Sequence, residues 1–255
     1  MIYDITDKEK AASLFSQWEE TLIWSCLQGI MGSIYGDDSD HPTAAMAICG
    51  DFAFFSGTPN MELVSYKPDW CTQDFIIMVP QDDDWKNAIV QFYGSKSKIV
   101  SRYAIKKEPD VFDTEKLEKI ISSLPDEYEL CMIDEHLYQM CKEASWSTDL
   151  VSQFQNYEDY RRLGLGAVIL KNNVIVSGAS SYSRYREGIE IEIDTKEEYR
   201  RKGLACICGA KLILECLKQN LYPSWDAQNK ASVALAEKLG YHYSHTYTAI
   251  EVYGY

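Results

Sequence analysis

The sequence lacks the segments that direct a chain into or across a membrane. No apolar run reaches the length of a membrane span, and the N-terminus MIYDITDKEKAAS has no basic stretch followed by an apolar one. We therefore expect no signal peptide, no membrane partner and a cytoplasmic location. No low-complexity linker and no internal repeat of about 20–50 residues is visible either.

Basic charge is also scarce. The 255 residues include 25 Lys and Arg against 39 Asp and Glu, which gives a formal net charge of −14. Because neutralising phosphates requires a basic face, we expect no nucleic-acid partner. The acidity favours a cationic acceptor such as an amine, but acidity also serves solubility on its own.

The 8 cysteines lack the spacing of a zinc site. They form no Cys-x-x-Cys pair, and the two nearest to each other are Cys206 and Cys208. We expect buried, reduced thiols and no metal. His242 and His245 suggest a ligand pair, but an odd separation along a strand places them on opposite faces, so we interpret them as structural or surface residues.

Apolar and aromatic residues are plentiful, at 46% and 13%, enough for one large domain or two modest ones. Strand and helix patterns alternate, which predicts the α/β (α+β) class, beginning with one helix from Asp7 to Cys26. We place a boundary near Pro125. It divides a smaller N-terminal α/β domain of unknown role, 1–125, from a second domain, 126–255. We assign the aromatic residues of the first domain to its core.

The second domain has a regular order of predicted elements. A strand and a helix precede a hairpin that turns at Asn172-Asn173. Next come a strictly alternating strand from Ile189 to Asp194, a helix, a strand from Leu221 to Ala227, a helix and a final strand.

The loop between the alternating strand and the helix that follows it predicts an anion site. Arg200, Arg201 and Lys202 stand at the helix start, where the positive end of the macrodipole disfavours cations. That cost is explained if an anion docks between these side chains and the free amides. Gly203 and Ala205 remove side chains where the backbone must approach a phosphate closely.

Two motifs in this region resemble those of the GNAT N-acetyltransferase superfamily. Arg200-x-x-Gly203-x-Ala205 resembles the Q/R-x-x-G-x-G/A pyrophosphate loop of that family. The helix that begins at Asn229 and ends in Lys-Leu-Gly-Tyr241 resembles its second signature. The resemblance covers about the last half of the chain, and the length resembles a bacterial subfamily with an extra N-terminal α/β unit. It implies a C-terminal GNAT fold, with a mixed, splayed central sheet flanked by helices.

The resemblance also implies the residues that bind acetyl-CoA as co-substrate. Backbone groups at the strand end would hold the pantetheine and stabilise the oxyanion: Ile193, Asp194 and Thr195. Loop amides would hold the pyrophosphate: Arg201, Lys202, Gly203, Leu204 and Ala205. The side chains of Arg200, Arg201 and Lys202 would add positive charge. Asn229 and Ser232 match positions near the pantetheine arm or the departing sulfur, and Asn229 is equally suited to a plain N-cap role.

Direct attack of an amine on the thioester requires a general base. Glu190 and Glu192 lie on the strand that approaches the acetyl group in the family, on one face, so each is either a catalytic base or a solvent-facing charge. The sequence departs from the family at Ala236, where many members have a tyrosine that protonates the leaving thiolate. The substitutes are water or another tyrosine: Tyr241, Tyr243 or Tyr247.

The leading hypothesis is an N-acetyltransferase that acetylates a primary amine of a small molecule or a peptide. One alternative is a non-catalytic acyl-CoA-binding module, of which Ala236 is a sign. Another is a tandem arrangement that uses another acyl donor, with the N-terminal half as a degenerate copy of the fold. That half has no R-x-x-G-x-A loop, so such a copy has lost the cofactor. The oligomeric state is not determined by the sequence, and a homodimer is one alternative because edge strands in this family often pair across dimers.

Overall fold

The structure, a computed structural model, describes every residue from Met1 to Tyr255. It has mixed sheets flanked by helices, which confirms the predicted fold class. The chain forms two compact units, one of Met1–Arg102 with Thr246–Tyr255 and one of Tyr103–His245. These units are not the ranges 1–125 and 126–255, whose standing as separate domains stays a prediction.

The elements have the following bounds. The strands are β1 Tyr3–Asp4, β2 Ser33–Gly36, β3 Ala44–Cys49, β4 Phe52–Gly57, β5 Phe75–Pro80, β6 Ser97–Ile105, β7 Glu129–Met132, β8 Gly166–Lys171, β9 Val174–Tyr185, β10 Gly188–Thr195, β11 Tyr222–Ser224, β12 Asp226–Ala227 and β13 Tyr243–Tyr253. The helices are α1 Glu9–Ala12, α2 Thr21–Leu27, α3 Met61–Ser65, α4 Asp83–Tyr93, α5 Thr114–Ser122, α6 Glu135–Glu143, α7 Tyr157–Leu163, α8 Leu204–Lys218 and α9 Lys230–Leu239.

The first unit contains a sheet in the order β1-β2-β3-β4-β5. Its neighbours are antiparallel except β4 and β5, which are parallel, and the end of β13 adds an antiparallel partner to β5. The predicted single helix from Asp7 to Cys26 is wrong. After α1 the chain makes a 3-10 turn, and Glu20 is extended, because the Glu19 amide donates to the Glu20 carboxylate rather than to a helical carbonyl.

The second unit contains a sheet in the order β11-β10-β9-β8-β7. Its strands are antiparallel except β10 and β11, which are parallel. The predicted hairpin is present between β8 and β9. Asn172 and Asn173 both have positive φ, at 51° and 62°, as a two-residue type I′ turn requires. Helix α8 packs its apolar residues into the core of this unit.

The two halves of the chain run through one order of elements. Each has a short strand, two helices, three antiparallel strands, a helix, a strand parallel to the third, a helix and a final strand. The final strands are exchanged. Tyr103 and Ala104 of β6 pair with β12 inside the second unit, and Ile250–Tyr253 of β13 pair with β5 inside the first. No repeat is visible in the sequence because the halves share topology and not residues.

Candidate functional site

Strand β10 pairs with β9 along its length but with β11 only over its first half. It pairs with β11 only at Gly188, Ile189 and Glu190, although it continues to Thr195. After Ser224 the chain leaves the edge of β10, and β12 pairs with β6 instead. The predicted single strand from Leu221 to Ala227 is therefore two short strands with different partners. The second half of β10 keeps one open edge, which is the splay that the family resemblance implies.

The backbone amides along the second half of β10 point alternately toward β9 and toward the open edge. Lys196 N donates to Val176 O of β9 at 3.0 Å. In an antiparallel ladder the residue two positions earlier faces the same way, so Asp194 also faces β9. The Thr195 amide faces the edge but donates to Asp194 Oδ1 at 2.6 Å. Of the three residues expected to offer backbone groups here, Ile193 therefore offers an amide to the edge most directly.

The loop after β10 leaves the start of α8 uncapped. Gly203 has a left-handed conformation, with φ +83°, and no side chain caps the helix. A Cβ built on Gly203 would meet no heavy atom within 4 Å. Arg201 also has positive φ, at 62°, which a non-glycine residue adopts at a cost. The first-turn amides of α8, which include those of Leu204 and Ala205, therefore have no side-chain partner and lie behind an exposed, unobstructed glycine.

The cationic side chains of the loop have different surroundings. Arg200 turns back toward β10, where its Nε donates to Thr195 O at 3.1 Å and its Nη2 lies 3.7 Å from Asp194 Oδ1. This contact ties the loop to the strand end. Lys202 Nζ lies 4.6 Å from the ring centroid of Tyr199. That these side chains add charge toward phosphates stays a prediction.

Helix α9 begins beside the point where the strands part. Asn229 Oδ1 accepts from Ser232 N at 2.9 Å, so Asn229 is the N-cap of the helix. Ser232 Oγ accepts from the indole Nε1 of Trp225, the residue between β11 and β12, at 3.0 Å. Ala236 is fully buried in the core. The roles of Asn229 and Ser232 toward a ligand stay predictions.

Glu190 lies in a buried, polar part of the sheet. Its side chain is 8% exposed, and its neighbours across the ladder are Ser183 and Ser224, both fully buried. Ser183 Oγ has no hydrogen-bond partner, while Ser224 Oγ shares a hydrogen bond of 2.9 Å with Tyr185 OH. Burial raises the pKa of Tyr185. Sequence reasoning missed Tyr185, although the register of the β9–β10 hairpin places it opposite Gly188, two residues before Glu190.

Glu192 is on the same face but in different surroundings. It is half-buried and opposite Ser180, whose Oγ shares a hydrogen bond of 2.9 Å with Tyr160 OH of α7. A register shift against β9 separates it from Glu190. The solvent-facing interpretation therefore does not hold for Glu190. For Glu192 the choice between base and surface charge stays open.

Tyr241 is removed from the set of acids considered for the leaving thiolate. It is 1% exposed, and its hydroxyl donates to Pro223 O at 2.6 Å. Burial raises its pKa well above the ordinary value, which makes it a poorer acid. Tyr243 is exposed, and Tyr247 is half-buried.

The remaining candidate ligands are dispersed. All eight cysteines are free, seven of them buried and Cys131 half-buried. His242 is exposed, with Nδ1 2.6 Å from Glu108 Oε2. No group of three or more His, Cys, Asp or Glu side chains is arranged to hold a metal ion. No helix combines the length and apolar character needed to cross a bilayer.

Comparison with known proteins assigns the family. The family model for GNAT acetyltransferases matches residues 12–250, so the chain belongs to the GNAT acetyltransferase family. The match extends well beyond the last half of the chain, where the motifs are, and takes in most of the first unit. An uncharacterized N-acetyltransferase of Bacillus subtilis, YdfB, is 26% identical over 256 residues, covering 92% of each chain.

Solved structures show the same fold. The crystal structure of a GCN5-related N-acetyltransferase-like protein from Streptococcus suis is 44% identical, with a TM-score of 0.91 over 96% of this chain and 98% of that one. A tandem GNAT protein from the clavulanic acid biosynthesis pathway is 9% identical, with a TM-score of 0.58 over 100% of this chain and 98% of that one. The second likeness concerns the fold alone.

Proposed function

We propose that this protein is a cytoplasmic acetyl-CoA-dependent N-acetyltransferase that acetylates a primary amine of a small molecule or a peptide. The observation that carries the proposal is the uncapped start of α8 behind Gly203, directly after a strand with an open edge. A helix N-terminus with free amides binds phosphate groups, and an open strand edge accepts an amide-rich chain such as pantetheine. Membership of an acetyltransferase family supports this proposal.

The residues fit a nucleotide thioester in a definite order. The amides from Arg201 to Ala205 hold the pyrophosphate, with Lys202 adding positive charge. The main chain of Ile193 then binds the pantetheine or the acetyl oxygen. Because the bound thioester supplies an activated acyl group, the protein needs to orient it, stabilise the oxyanion and remove a proton from the amine.

Glu190 and Glu192 are the candidates for proton removal. An alkylammonium is mostly protonated at neutral pH, so the attacking amine must lose a proton. Glu190 is buried among hydroxyl groups, and Glu192 is the more accessible of the two. We assign the base to this pair, acting directly or through water.

A second candidate function is an acyl-CoA-binding module without turnover. The observation in its favour is Ala236, which fills core volume at the position where many relatives have a tyrosine. A CoA thiolate is a good leaving group, so the absence of that phenol weakens catalysis without preventing it.

One assay separates the two functions. Purified protein is mixed with acetyl-CoA and a panel of polyamines, amino acids, aminoglycosides and peptides, and free thiol release is followed against a reaction without amine. An acetyltransferase releases thiol with at least one amine and yields the acetylated product by mass spectrometry. Binding of acetyl-CoA by calorimetry, with no amine accelerating thiol release, would instead identify the binding module.

A further inference from the structure

Trp225 occupies the point at which the site opens. It follows Ser224, the last residue of β11, and precedes β12, which has a different partner. Its side chain is 6% exposed and its ring meets that of Tyr241 edge-on, with centroids 5.5 Å apart and planes at 69°. The indole is therefore held in place by burial and by its contact with Tyr241.

The indole fixes the orientation of one hydroxyl. An indole N–H only donates, so in the 3.0 Å contact between Trp225 Nε1 and Ser232 Oγ the serine oxygen is the acceptor. The Ser232 side chain makes no other hydrogen bond, and its backbone amide already donates to Asn229. The hydroxyl hydrogen therefore points away from the indole with no acceptor of its own.

Ser232 is in the first turn of α9, and its contact with Trp225 places it next to the residue at which β11 ends. It is half-buried, so its hydroxyl can reach a ligand while water around it is restricted. One turn further on, Ala236 offers neither a donor nor access. Ser232 is thus the hydroxyl group in the first turn of α9, which also contains the exposed Lys230 and follows the capping Asn229.

We infer that Trp225 is a positioning residue that holds Ser232 Oγ–H as the hydrogen-bond donor to the sulfur of coenzyme A as the thioester breaks. The inference rests on the proposed function. The amine nitrogen forms a bond to the acyl carbon, the carbon–sulfur bond breaks and its electron pair stays on sulfur. The amine proton leaves through the base. The thiolate accepts a hydrogen bond from Ser232 and later takes its proton from solvent.

The donor need not transfer a proton. A cysteine thiol ionises near pH 8.5, so thiols lose a proton under mildly alkaline conditions. A thiolate is therefore stable enough to leave once a single donor stabilises it. A neutral donor to a charged acceptor is one of the stronger hydrogen bonds in proteins. Its loss is therefore expected to reduce turnover about tenfold to a hundredfold.

The test compares coenzyme A with desulfo-coenzyme A, which lacks the thiol, by calorimetry between about pH 6 and pH 9.5. In the wild-type protein the preference for coenzyme A rises with pH by about tenfold, as thiolate forms and accepts the hydrogen bond. Ser232→Ala loses that rise, and Ser232→Thr, which keeps a hydroxyl, retains it. Trp225→Phe keeps an aromatic ring but no donor, and reduces the rise by about threefold.

The controls make each outcome decisive. Ser122→Ala removes an exposed helix serine in α5 and leaves the pH-dependent preference unchanged. Thermal unfolding checks that Trp225→Phe is folded under the conditions used. A wild-type protein that binds both ligands with no pH-dependent preference overturns the inference, as does a Ser232→Ala variant that keeps the preference. An unaltered Trp225→Phe variant overturns the role of the indole. Failure of the wild type to bind either ligand refutes the proposed function itself.

Discussion

The helix that follows the third antiparallel strand differs sharply between the two units. In the first unit this is α3, five residues long, whose N-cap Asn60 accepts from the amides of Glu62 and Leu63 at 2.8 and 3.3 Å. In the second unit it is α8, 15 residues long, which begins at Gly203 with no side-chain cap. Side-chain capping satisfies amides at one helix start, and the other helix start has no side-chain cap.

The strands before these helices differ in the same sense. Strand β4 reads FAFFSG and has no carboxylate, whereas β10 reads GIEIEIDT and has three. Strand β4 is also buried along most of its length, as part of the core of its unit. One topology thus serves as a packed core in one unit and as a site in the other. Under the proposed function, binding of acyl-CoA depends on a loop and a strand edge rather than on the fold as such.

A side chain placed in the open space at Gly203 should remove the difference between the two helix starts most completely. Gly203→Glu places a carboxylate where the phosphates dock, so we expect acetyl-CoA affinity to fall at least about a hundredfold by calorimetry. Because φ is +83°, the variant also loses about 1–2 kcal/mol of unfolding free energy.

The matched control is Gly29→Glu in the first unit. Gly29 is also exposed and has positive φ, at 66°, with no heavy atom within 4 Å of its Cβ position. This variant should lose comparable stability and keep its affinity for acetyl-CoA. Unchanged affinity in Gly203→Glu would remove the loop from the site.

The carboxylates of β10, which have no counterpart in β4, provide the next test. Glu190→Gln and Glu192→Gln, made singly, should identify the base, since its loss lowers turnover about a hundredfold or more. A base acts when deprotonated, so wild-type turnover falls on the acidic side, and the variant that removes the base loses that acidic limb. Glu187→Gln, an exposed residue of the same hairpin, serves as the control. If neither variant changes the rate or the pH profile, proton removal occurs elsewhere.

The turn, loop and helix-cap features were predictable because they depend on local sequence. The Asn172-Asn173 turn, the left-handed Gly203 and the Asn229 cap each follow from residues adjacent in the chain. The split of Leu221–Ala227 was not predictable, since it depends on pairing with Tyr103 and Ala104 far away in the chain. Burial of Glu190 among hydroxyls also depends on register, because a hairpin turn and a β-bulge decide which side chains surround it.

The shared topology of the two halves was harder still to predict. The N-terminal half has no R-x-x-G-x-A loop, and its β4–α3 connection contains Asn60 instead of a glycine loop. Only strand order and direction reveal the repeat, and these are tertiary properties. The notion of a tandem chain with an altered N-terminal copy therefore gains its support from topology and not from sequence.

Corresponding N-caps of the two units allow a smaller comparison. Asp82 caps α4 and Asn229 caps α9, each accepting from the third helical amide at 2.9 Å. Asp82→Ala and Asn229→Ala should each lower the unfolding free energy by about 1 kcal/mol, measured by urea titration. Only Asn229→Ala should also weaken acetyl-CoA binding, by about threefold to tenfold. Equal affinity in both variants would leave Asn229 with the capping role alone.

The smallest expected effect concerns acid sensitivity in the first unit. Burial raises the pKa of Asp37, but hydrogen bonds from the Thr43 hydroxyl and the amides of Ala44 and Thr43 outweigh it, so the net pKa is lowered. A lowered pKa adds stability above the unfolded value of about 3.9, and this stability is lost as pH falls through the folded value.

Asp37→Asn should therefore be less stable than the wild type at pH 6, with the difference shrinking below about pH 4 in urea titrations. Because Asp37 belongs to the first unit, acetyl-CoA affinity at pH 6 should not change. A stability difference that does not depend on pH would show that the carboxylate charge has no part in holding this loop.

The exchanged final strands have a consequence for biosynthesis. Strand β5 is made early, but the residues that pair with it, Ile250–Tyr253, are made only after the whole of Tyr103–His245. The sheet of the first unit therefore cannot be completed on the ribosome before the second unit has been synthesised, and until then β5 presents an unsatisfied edge. Synthesis of the second unit, rather than of the N-terminal half, sets the moment at which the first unit closes.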